Sequence, residues 1–285
     1  MRIIDTHVHI WDLEKAQYPW LQGDCSILNR TWSIEEIEND RKVSGITAGV
    51  LIQASGNIED TELMLETAHK TDWICGIVGW LPLMDTKAMQ RSLEERFLKE
   101  KYFKGVRHQI HDEKNAEWLL NPTVLESLEI LASYKIPYDI VGISPAHIET
   151  ALKVAEKIPS LKMVFDHLNW PPIPTKEKFG NWGELMKTAA QHKNLYAKIS
   201  GLGTASGNFQ DRTAGDIKPY VEFVLQCFGT ERCFCGGDWP VSMLANNYIK
   251  TWQTTKGILN DLLNDEEKDR VLFSNANNFY NLGLS

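Results

Sequence analysis

The amino-acid sequence predicts an α/β fold, a (β/α)8 TIM barrel in which residues 1–285 form a single domain. A short, mostly apolar, β-branched run followed by an amphipathic helical pattern recurs eight times along the chain. The runs are close to continuously apolar, which is typical of parallel strands that are covered on both faces. No glycine-rich phosphate loop follows the first run, so the alternative, an open doubly wound sheet, has less support.

The individual elements follow from these patterns and from signals that mark the start of a helix. Ser33 and Glu36 have the spacing of a capping box, and Asp216 is a further start signal. The predicted strands cover residues 2–8, 47–53, 73–79, 104–110, 136–141, 161–166, 195–200 and 232–237. The predicted helices cover residues 34–43, 60–70, 87–99, 122–134, 145–157, 182–192 and 216–228.

Composition and charge exclude several classes of protein. The 30 basic and 38 acidic side chains give a net charge of −8, so the chain lacks the basic surface that nucleic-acid binding needs. The 10 Trp, 8 Tyr and 10 Phe residues demand burial, which excludes a disordered chain. The longest apolar run, at 46–54, is too short to span a bilayer. We therefore expect neither nucleic acid nor a membrane among the partners.

The cysteines indicate a reducing environment. Their number, 5, is odd, and no Cys-x-x-Cys pair occurs, which argues against both a disulfide framework and a zinc ribbon. The first residues contain no apolar segment typical of a secretion signal. We therefore expect free thiols packed as small apolar side chains, in a cytoplasmic protein.

Polar side chains collect at the ends of the predicted strands, where barrels of this kind hold their active sites. His7 and His9 end the first strand and, because they are two residues apart, point to the same face. Asp166 and His167 end the sixth strand; since adjacent strand residues face opposite ways, we expect His167 to face the site. Asp238 follows two glycines at the end of the eighth strand. The sequence therefore predicts that the three histidines and Asp238 converge.

The chemistry of these groups suits the activation of water. Two imidazoles on one face can converge on one ion or one oxygen, although a His-x-His pair also arises by chance. A carboxylate such as Asp238 can orient and deprotonate water, or it can cap the next helix. An isolated Asp, with a pKa of about 3.9, is a poor base at neutral pH. It needs either a metal ion that lowers the pKa of water or histidines that share the proton.

Two further features suit substrate binding. Arg107, near the end of the fourth strand, carries a fixed charge and planar donors that fit a carboxylate, a carbonyl oxygen or an oxyanion. The alternative role of Arg107 is an ion pair with a neighbouring acid in the barrel. The long loop at 10–32 holds several aromatic side chains, including Trp20. These either stack on sugars and lactones or only plug the mouth of the barrel.

The motifs, taken together, resemble a known family. Residues 4–11 (Ile-Asp-Thr-His-Val-His-Ile-Trp) resemble the opening of the amidohydrolase superfamily. Further along, the chain resembles the sugar-lactonase branch of that superfamily, which includes L-fuconolactonase- and L-rhamnonolactonase-like enzymes. The resemblance runs from end to end and implies a (β/α)8 barrel that hydrolyses the C–O bond of a lactone. The segments that carry it are 18–21, 78–80, 105–108, 166–167, 198–202, 237–240 and 275–276.

The resemblance also implies roles for single residues. Asp238 would activate the water, and His7, His9 and His167 would line the reaction centre. The residues that would bind the carbonyl, the hydroxyls or other parts of the substrate are Arg107, His108, Gln53, Trp20 and Trp239.

The chain departs from the wider superfamily in ways that bear on metal binding. Binuclear members use a lysine of the fourth strand, whereas this strand ends in Arg-His-Gln at 107–109. Mononuclear members often place a histidine at the end of the fifth strand, where 138–141 has none. One divalent ion, zinc or manganese, on His7, His9 and Asp238 therefore stays open beside metal-independent catalysis. Trp170 stands where sugar lactonases often carry a lysine.

These inferences give one principal hypothesis and two alternatives. The first is a sugar-acid lactonase that opens an L-fucono- or L-rhamnono-lactone-like ring by attack of Asp-activated water on the lactone carbonyl. The second is a metal-dependent decarboxylase of an aromatic or unsaturated acid from the same superfamily. The third is a barrel that binds a sugar acid without catalysis, which the concentration of His, Arg and Asp at the strand ends disfavours.

Overall fold

The computed structural model describes residues 2–175, 178–207 and 213–285 and contains a sheet of 8 strands that hydrogen-bond in chain order. Each strand runs parallel to the next. Every predicted strand overlaps one observed strand, so the predicted (β/α)8 barrel is confirmed. The strands are β1 (Ile4–Val8), β2 (Ala48–Ile52), β3 (Ile74–Gly79), β4 (Phe103–His108), β5 (Tyr138–Ile140), β6 (Met163–Phe165), β7 (Leu195–Ile199) and β8 (Cys233–Cys235).

Backbone hydrogen bonds just beyond the end of β8 close the barrel onto β1. The N–H of Asp238 donates to the carbonyl of His7 at 2.7 Å, and the N–H of His9 donates to the carbonyl of Trp239 at 2.7 Å. The two strands at this seam come from opposite ends of the chain. Four of the predicted site residues, His7, His9, Asp238 and Trp239, are therefore next to each other because the barrel closes.

Helices connect the strands and cover the barrel. Each predicted helix overlaps one observed helix, and the prediction at 34–43 corresponds to a 3-10 turn that leads into the first α-helix. The helices are α1 (Glu38–Val43), α2 (Ile58–Lys70), α3 (Thr86–Glu95), α4 (Pro122–Ser133), α5 (Pro145–Lys157), α6 (Gly180–Ala189), α7 (Leu202–Ala205), α8 (Ala214–Phe228), α9 (Tyr248–Leu262), α10 (Asp265–Asp269) and α11 (Asn275–Phe279).

The predicted helix-start signals act through their side chains. Ser33 and Glu36 form the expected capping box, in which each side chain bonds the backbone N–H of the other residue. Asp216 does not begin α8 as predicted. It is the third residue of the helix and forms a capping box with Thr213. The carboxylate therefore reaches back to the residue that precedes the helix.

Helix α9 has no counterpart among the predicted helices, although it follows β8, where the eighth helix of the barrel belongs. Its sequence contains three threonines and Gly257, which lower the intrinsic preference for a helix. Burial of Tyr248, Trp252 and Leu259 compensates for this low preference. Packing against the barrel, which a local pattern does not reveal, therefore stabilises this helix.

The C-terminal residues 270–284, which we name the floor segment, close the amino-terminal end of the barrel. The ring of Phe279 packs on Phe234 in β8, with ring centroids 5.2 Å apart. Lys104, near the start of β4, donates a hydrogen bond to the carbonyl of Asn281 at 3.1 Å. The opposite, carboxyl-terminal end of the barrel is therefore the end at which the predicted site residues lie.

Two predictions that concern the whole chain can be compared with the structure. All five cysteines are free thiols, as predicted. Cys233 and Cys235 are buried in β8, whereas Cys25 is exposed, so the predicted packing as a small apolar side chain is wrong for Cys25. Within the described ranges, no helix combines the length and the apolar character needed to cross a bilayer.

We expect Gly237 to be essential for the closing seam. A Cβ atom at this position would lie 2.5 Å from Oδ2 of Asp5 and 2.6 Å from Cε2 of Tyr248. Because both neighbours are buried, Gly237→Ala should lower the free energy of unfolding by about 1–3 kcal/mol, as measured by urea unfolding. Gly257→Ala is the control. A Cβ there meets nothing within 4 Å, so this helix substitution should raise stability by about 1 kcal/mol. If Gly237→Ala and Gly257→Ala changed the free energy of unfolding equally, the close approach of Asp5 and Tyr248 to position 237 would be contradicted.

Candidate active site

Four buried side chains converge at the carboxyl-terminal end of the barrel, as the sequence predicts. The Nε2 atoms of His7, His9 and His167 lie 3.8, 3.6 and 4.0 Å from Oδ1 of Asp238. The Nε2 atoms of His7 and His9 are 3.1 Å apart. His7 and His9 come from the end of β1, whereas the other two follow β6 and β8. Three imidazoles and one carboxylate therefore face one point.

The backbone around this cluster departs from ordinary strand geometry. The four residues 167–170 have φ angles between 51° and 58°, so a left-handed turn presents His167, and Asp238 has a φ of 57°. Each such residue that is not glycine costs about 1 kcal/mol or more, and strain of this kind concentrates at functional sites. Gly201 packs on both residues, because a Cβ there would lie 2.4 Å from Nδ1 of His167 and 2.8 Å from Oδ2 of Asp238.

An oxygen atom lies beside the Nδ1 atom of each of the three imidazoles. Nδ1 of His9 donates to the carbonyl of Ile52 at 2.8 Å, so the Nε2 atom of this ring carries a lone pair. Nδ1 of His167 lies 2.9 Å from the hydroxyl of Ser200. Nδ1 of His7 lies 3.5 Å from Oδ1 of Asp166. These contacts turn all three Nε2 atoms toward the carboxylate that follows β8.

The donor set fits a divalent cation. Ligand atoms of His7, His167 and Asp238 all lie within 4.8 Å of one another, and His9 extends the group. A tetrahedral site with bonds of about 2.1 Å places its ligand atoms about 3.4 Å apart, close to the separations seen among these residues. Burial lowers the pKa of His7 well below its ordinary value and also lowers the pKa of His9, so both rings favour the neutral form that binds metals. Lone pairs and a carboxylate that face each other attract a cation.

Arg107 lies beside the cluster and is held in place by the protein. Its Nε donates to Oε1 of Gln53 at 3.1 Å, and its Nη2 donates to the carbonyl of the same residue. Its Nη1 donates to Oδ2 of Asp166 at 3.0 Å and lies 3.4 Å from Nε2 of His7. Arg107 therefore makes the ion pair that the sequence analysis weighed as an alternative, and it also carries its charge to the edge of the cluster.

Two buried charged residues beneath the cluster are not among the predicted site residues. Nζ of Lys198 lies 2.6 Å from Oδ2 of Asp139 and 2.8 Å from Oδ1 of Asp166. Burial raises the pKa of Asp139 to about 6. Burial acts in the same direction on Asp166, but the charge of Lys198, the neighbouring ring of His7 and the charge of Arg107 together outweigh it and hold the pKa of Asp166 well below its usual range. Lys198 and Asp139 both lie inside predicted strands that are otherwise apolar. Because buried charges need partners, this pattern was the signal in the sequence that could have indicated a buried ion pair.

Comparison with known proteins identifies the family of the chain. Residues 4–282 match the sequence profile of the amidohydrolase family. The chain belongs to this family. It is 28% identical to the L-fucono-1,5-lactonase of Burkholderia ambifaria over 98% of this chain and 95% of that protein. It is 23% identical to the L-rhamnono-gamma-lactonase of Scheffersomyces stipitis over 99% of each. A crystal structure of an amidohydrolase from Burkholderia multivorans with bound zinc superposes with a TM-score of 0.90, at 22% identity and with 99% of each chain covered. The resemblance inferred from the motifs is thereby confirmed at the level of the family.

Two residues for which the family resemblance implies substrate binding have partners inside this amidohydrolase. Nδ1 of His108 accepts a hydrogen bond from the indole of Trp80 at 3.0 Å, and Nε2 of His108 lies 2.8 Å from Oε1 of Glu113. Trp239 is 2% exposed and packs edge-on against Trp32, with ring centroids 5.3 Å apart. The contact of His108 and Trp239 with substrate stays a prediction. Gln53 is linked to the cluster indirectly, because its side chain accepts a hydrogen bond from Arg107.

The loop at 10–32 is anchored at the mouth of the barrel. The indole of Trp20 donates to the carbonyl of Ala54 at 2.8 Å, and its ring packs on Trp11 with centroids 5.2 Å apart. The carboxylate of Asp60, in the first turn of α2, accepts hydrogen bonds from the Tyr18 hydroxyl at 3.0 Å and from the Ala54 N–H at 2.9 Å. Burial raises the pKa of Asp60 to about 7. One carboxyl group therefore holds the aromatic loop against the end of β2.

We expect Asp60 to make stability depend on pH. Its pKa rises from 3.8 to about 7 on folding, so the folded chain binds an extra proton between these values. The free energy of unfolding therefore falls as the pH rises through this range. Asn does not titrate, so Asp60→Asn does not lose stability in this way. The free energy of unfolding of the wild type minus that of Asp60→Asn should therefore decrease by up to about 4 kcal/mol between about pH 4 and about pH 7.5. Urea unfolding at several pH values measures this difference. The exposed change Asp261→Asn should follow the wild type, and a difference for Asp60→Asn that is independent of pH would contradict the assignment.

Proposed function

We propose that the protein hydrolyses a sugar-acid lactone and that Asp238 activates the attacking water. The observation that carries this proposal is the position of Oδ1 of Asp238, within 4.0 Å of three imidazole nitrogens. The names of the relatives, L-fucono-1,5-lactonase and L-rhamnono-gamma-lactonase, support a lactone as the substrate class. The substrate we propose is an L-fucono- or L-rhamnono-lactone-like ring.

The first step joins water to the lactone carbonyl. Asp238 accepts a proton from water, and the water oxygen forms a bond to the carbonyl carbon. Negative charge then develops on the carbonyl oxygen. The guanidinium of Arg107, whose Nη1 lies 3.4 Å from Nε2 of His7, stabilises this charge. Because Gln53 and Asp166 already hold the guanidinium, its charge is in place before the reaction starts.

The second step breaks the bond between the carbonyl carbon and the ring oxygen. The ring oxygen leaves as an alkoxide and takes a proton from Nε2 of His167. Asp238, which lies 4.0 Å from that nitrogen, returns to His167 the proton that it took from water. One water is consumed, one hydroxy acid forms, and both side chains return to their starting protonation state.

The same residues would hold one divalent ion, zinc or manganese. His7, His9 and Asp238 are the ligands predicted from the sequence, and His167 faces the same point. When bound, such an ion polarises a carbonyl and lowers the pKa of water toward about 7. The Nδ1 contact of His9 suits this role, since it leaves the Nε2 lone pair of that ring free to face the ion.

Two features next to the cluster would bind the rest of the lactone. Trp20 offers a half-buried aromatic face at the mouth of the barrel. A cavity of about 300 Å³ lies between α8, α9 and the ends of β7 and β8, and Ser200 and Gly201 form part of its wall. Thr251 and Lys250 also line this cavity and can bond hydroxyl or carboxylate groups of a sugar acid.

Replacement of Asp238 tests the proposed base. Asp238→Asn keeps the shape of the side chain but removes the proton acceptor, so kcat should fall by about 10²- to 10⁴-fold. A pH-indicator assay against a panel of sugar lactones measures the acid that hydrolysis releases. Asp261→Asn, an equally conservative change at an exposed position in α9, should keep wild-type turnover, and circular dichroism should show both variants folded.

Other results of this assay would redirect the proposal. Wild-type turnover by Asp238→Asn would remove the base assignment. No hydrolysis of any lactone by the wild type would remove the substrate class. Release of carbon dioxide from an aromatic or unsaturated acid would then favour the decarboxylase hypothesis.

Metal content tests the proposed ligands separately from activity. We expect zinc or manganese to bind at one equivalent per chain, as measured by elemental analysis after equilibrium dialysis. Loss of one ligand in His9→Gln should weaken binding by about tenfold or more. His69→Gln is the matched control, because this exposed histidine lies outside the cluster, 3.1 Å from Glu100 and packed edge-on against Tyr102. If the wild type binds no ion and its turnover survives chelation, the histidines and Asp238 act without a metal.

A further inference from the structure

A row of buried polar side chains, joined by hydrogen bonds and ion pairs, runs through the barrel from the floor segment to the reaction centre. The hydroxyl of Tyr280, in the floor segment, donates to Oδ2 of Asp139 at 2.7 Å. Nζ of Lys198 donates to the same oxygen at 2.6 Å and lies 2.8 Å from Oδ1 of Asp166. That oxygen of Asp166 lies 3.5 Å from Nδ1 of His7. We name Tyr280, Asp139, Lys198 and Asp166 the axial chain.

Packing at the floor of the barrel does not require the polar groups of the axial chain. All four of its residues are at most 1% exposed. The ring of Tyr280 already packs on Phe234, with centroids 5.7 Å apart, among apolar neighbours. Burying charges is costly, and apolar side chains of similar volume commonly fill such a space with equal or better stability. The polar atoms of the chain therefore suggest a role in the reaction centre at its upper end.

The position of the Lys198 ammonium decides which group bonds Nδ1 of His7. The ammonium lies 2.6 Å from Asp139 and 2.8 Å from Asp166, and it is 3.4 Å from Nδ1 of His7. Oδ1 of Asp166 lies 3.5 Å from the same nitrogen, so the ammonium and the carboxylate compete for it. If Nδ1 carries the ring proton and donates to Asp166, the Nε2 lone pair faces Asp238. If the ammonium instead moves up and donates to Nδ1, the ring proton must sit on Nε2, and the lone pair is lost from the reaction centre.

We propose that Tyr280 is a positioning residue for the reaction centre. Its hydroxyl fixes Asp139, which holds the Lys198 ammonium down and leaves Asp166 to select the tautomer of His7. The floor segment is thus part of the machinery at the opposite end of the barrel. The kinetic part of this inference rests on the proposed function, whereas the tautomer of His7 does not.

The variant Tyr280→Phe tests the inference because it removes one hydroxyl and keeps the ring. None of the axial chain is among the residues proposed to bind the lactone, so kcat should fall by about 10- to 100-fold while KM stays within about twofold of the wild type. Tyr220→Phe is the matched control: it removes a buried phenol hydroxyl that donates to the carbonyl of Pro172 at 3.1 Å. This control should keep wild-type kcat and KM.

The tautomer of His7 is read directly by NMR of protein labelled with ¹⁵N-histidine, as purified and after chelation. Signals of His7 are identified by their loss in His7→Gln. We expect the proton of the His7 ring on Nδ1 in the wild type and in Tyr220→Phe, and a shift toward Nε2 in Tyr280→Phe. Asp139→Asn, which weakens the hold on Lys198 from the next link, should shift His7 in the same direction.

The two measurements separate failure of this inference from failure of the proposed function. If the wild type hydrolyses no lactone, the proposed function fails, and the NMR comparison still decides the role of Tyr280. If the His7 signals of Tyr280→Phe and Asp139→Asn match those of Tyr220→Phe in both samples, the axial chain does not position His7 and the inference is wrong. A loss of kcat without any change at His7 would likewise overturn it.

Discussion

The backbone hydrogen bonds that join the last strand to the first are the constraint on which the rest of the structure depends. His7, His9 and Asp238 are partners in these bonds, so closure of the barrel and assembly of the cluster are one event. The carboxylate of Asp5 reinforces the seam, because it accepts hydrogen bonds from the backbone of His7 at 2.9 Å and of Gly237 at 2.8 Å. A barrel closed in another register would separate the histidines of β1 from the carboxylate that follows β8.

Charge balance inside the barrel complements this seam. Arg107 and Lys198 bring two cations into the interior, and Asp166 forms an ion pair with each, at 3.0 and 2.8 Å. Among the side chains that the structure describes, those in ionic contact with Asp238 are histidine rings alone. Both cations are therefore paired with Asp166, whereas Asp238 faces imidazole rings, as the proposed proton transfer or ion binding requires. Charges fixed in this way do not have to reorganise during a reaction.

The sequence predicts most of the barrel because the patterns that specify strands and helices are local. Even so, β5 and β6 have 3 residues each, fewer than the predicted runs at 136–141 and 161–166, because apolar sequence continues beyond the hydrogen-bonded ladder. The meeting of the histidines with Asp238 could be predicted, since strand ends of a parallel barrel share one rim. The pairing of Lys198 with Asp139, 59 residues away, could not. A charge within an apolar run shows that a partner is needed but not which residue supplies it.

The left-handed turn at 167–170 links stability to reactivity at this rim. A strained turn persists only where its surroundings over-determine it. Asp166, directly before the turn, is held by Lys198 in β7. Inside the turn, the carbonyl of Leu168 accepts a hydrogen bond from the indole of Trp182 in α6 at 2.8 Å. The contacts that hold the turn therefore come from both β7 and α6. The turn carries His167, whose ring reaches Asp238, the carboxylate after β8, only when the barrel is folded. The strained turn is therefore formed by the same folding event that assembles the site.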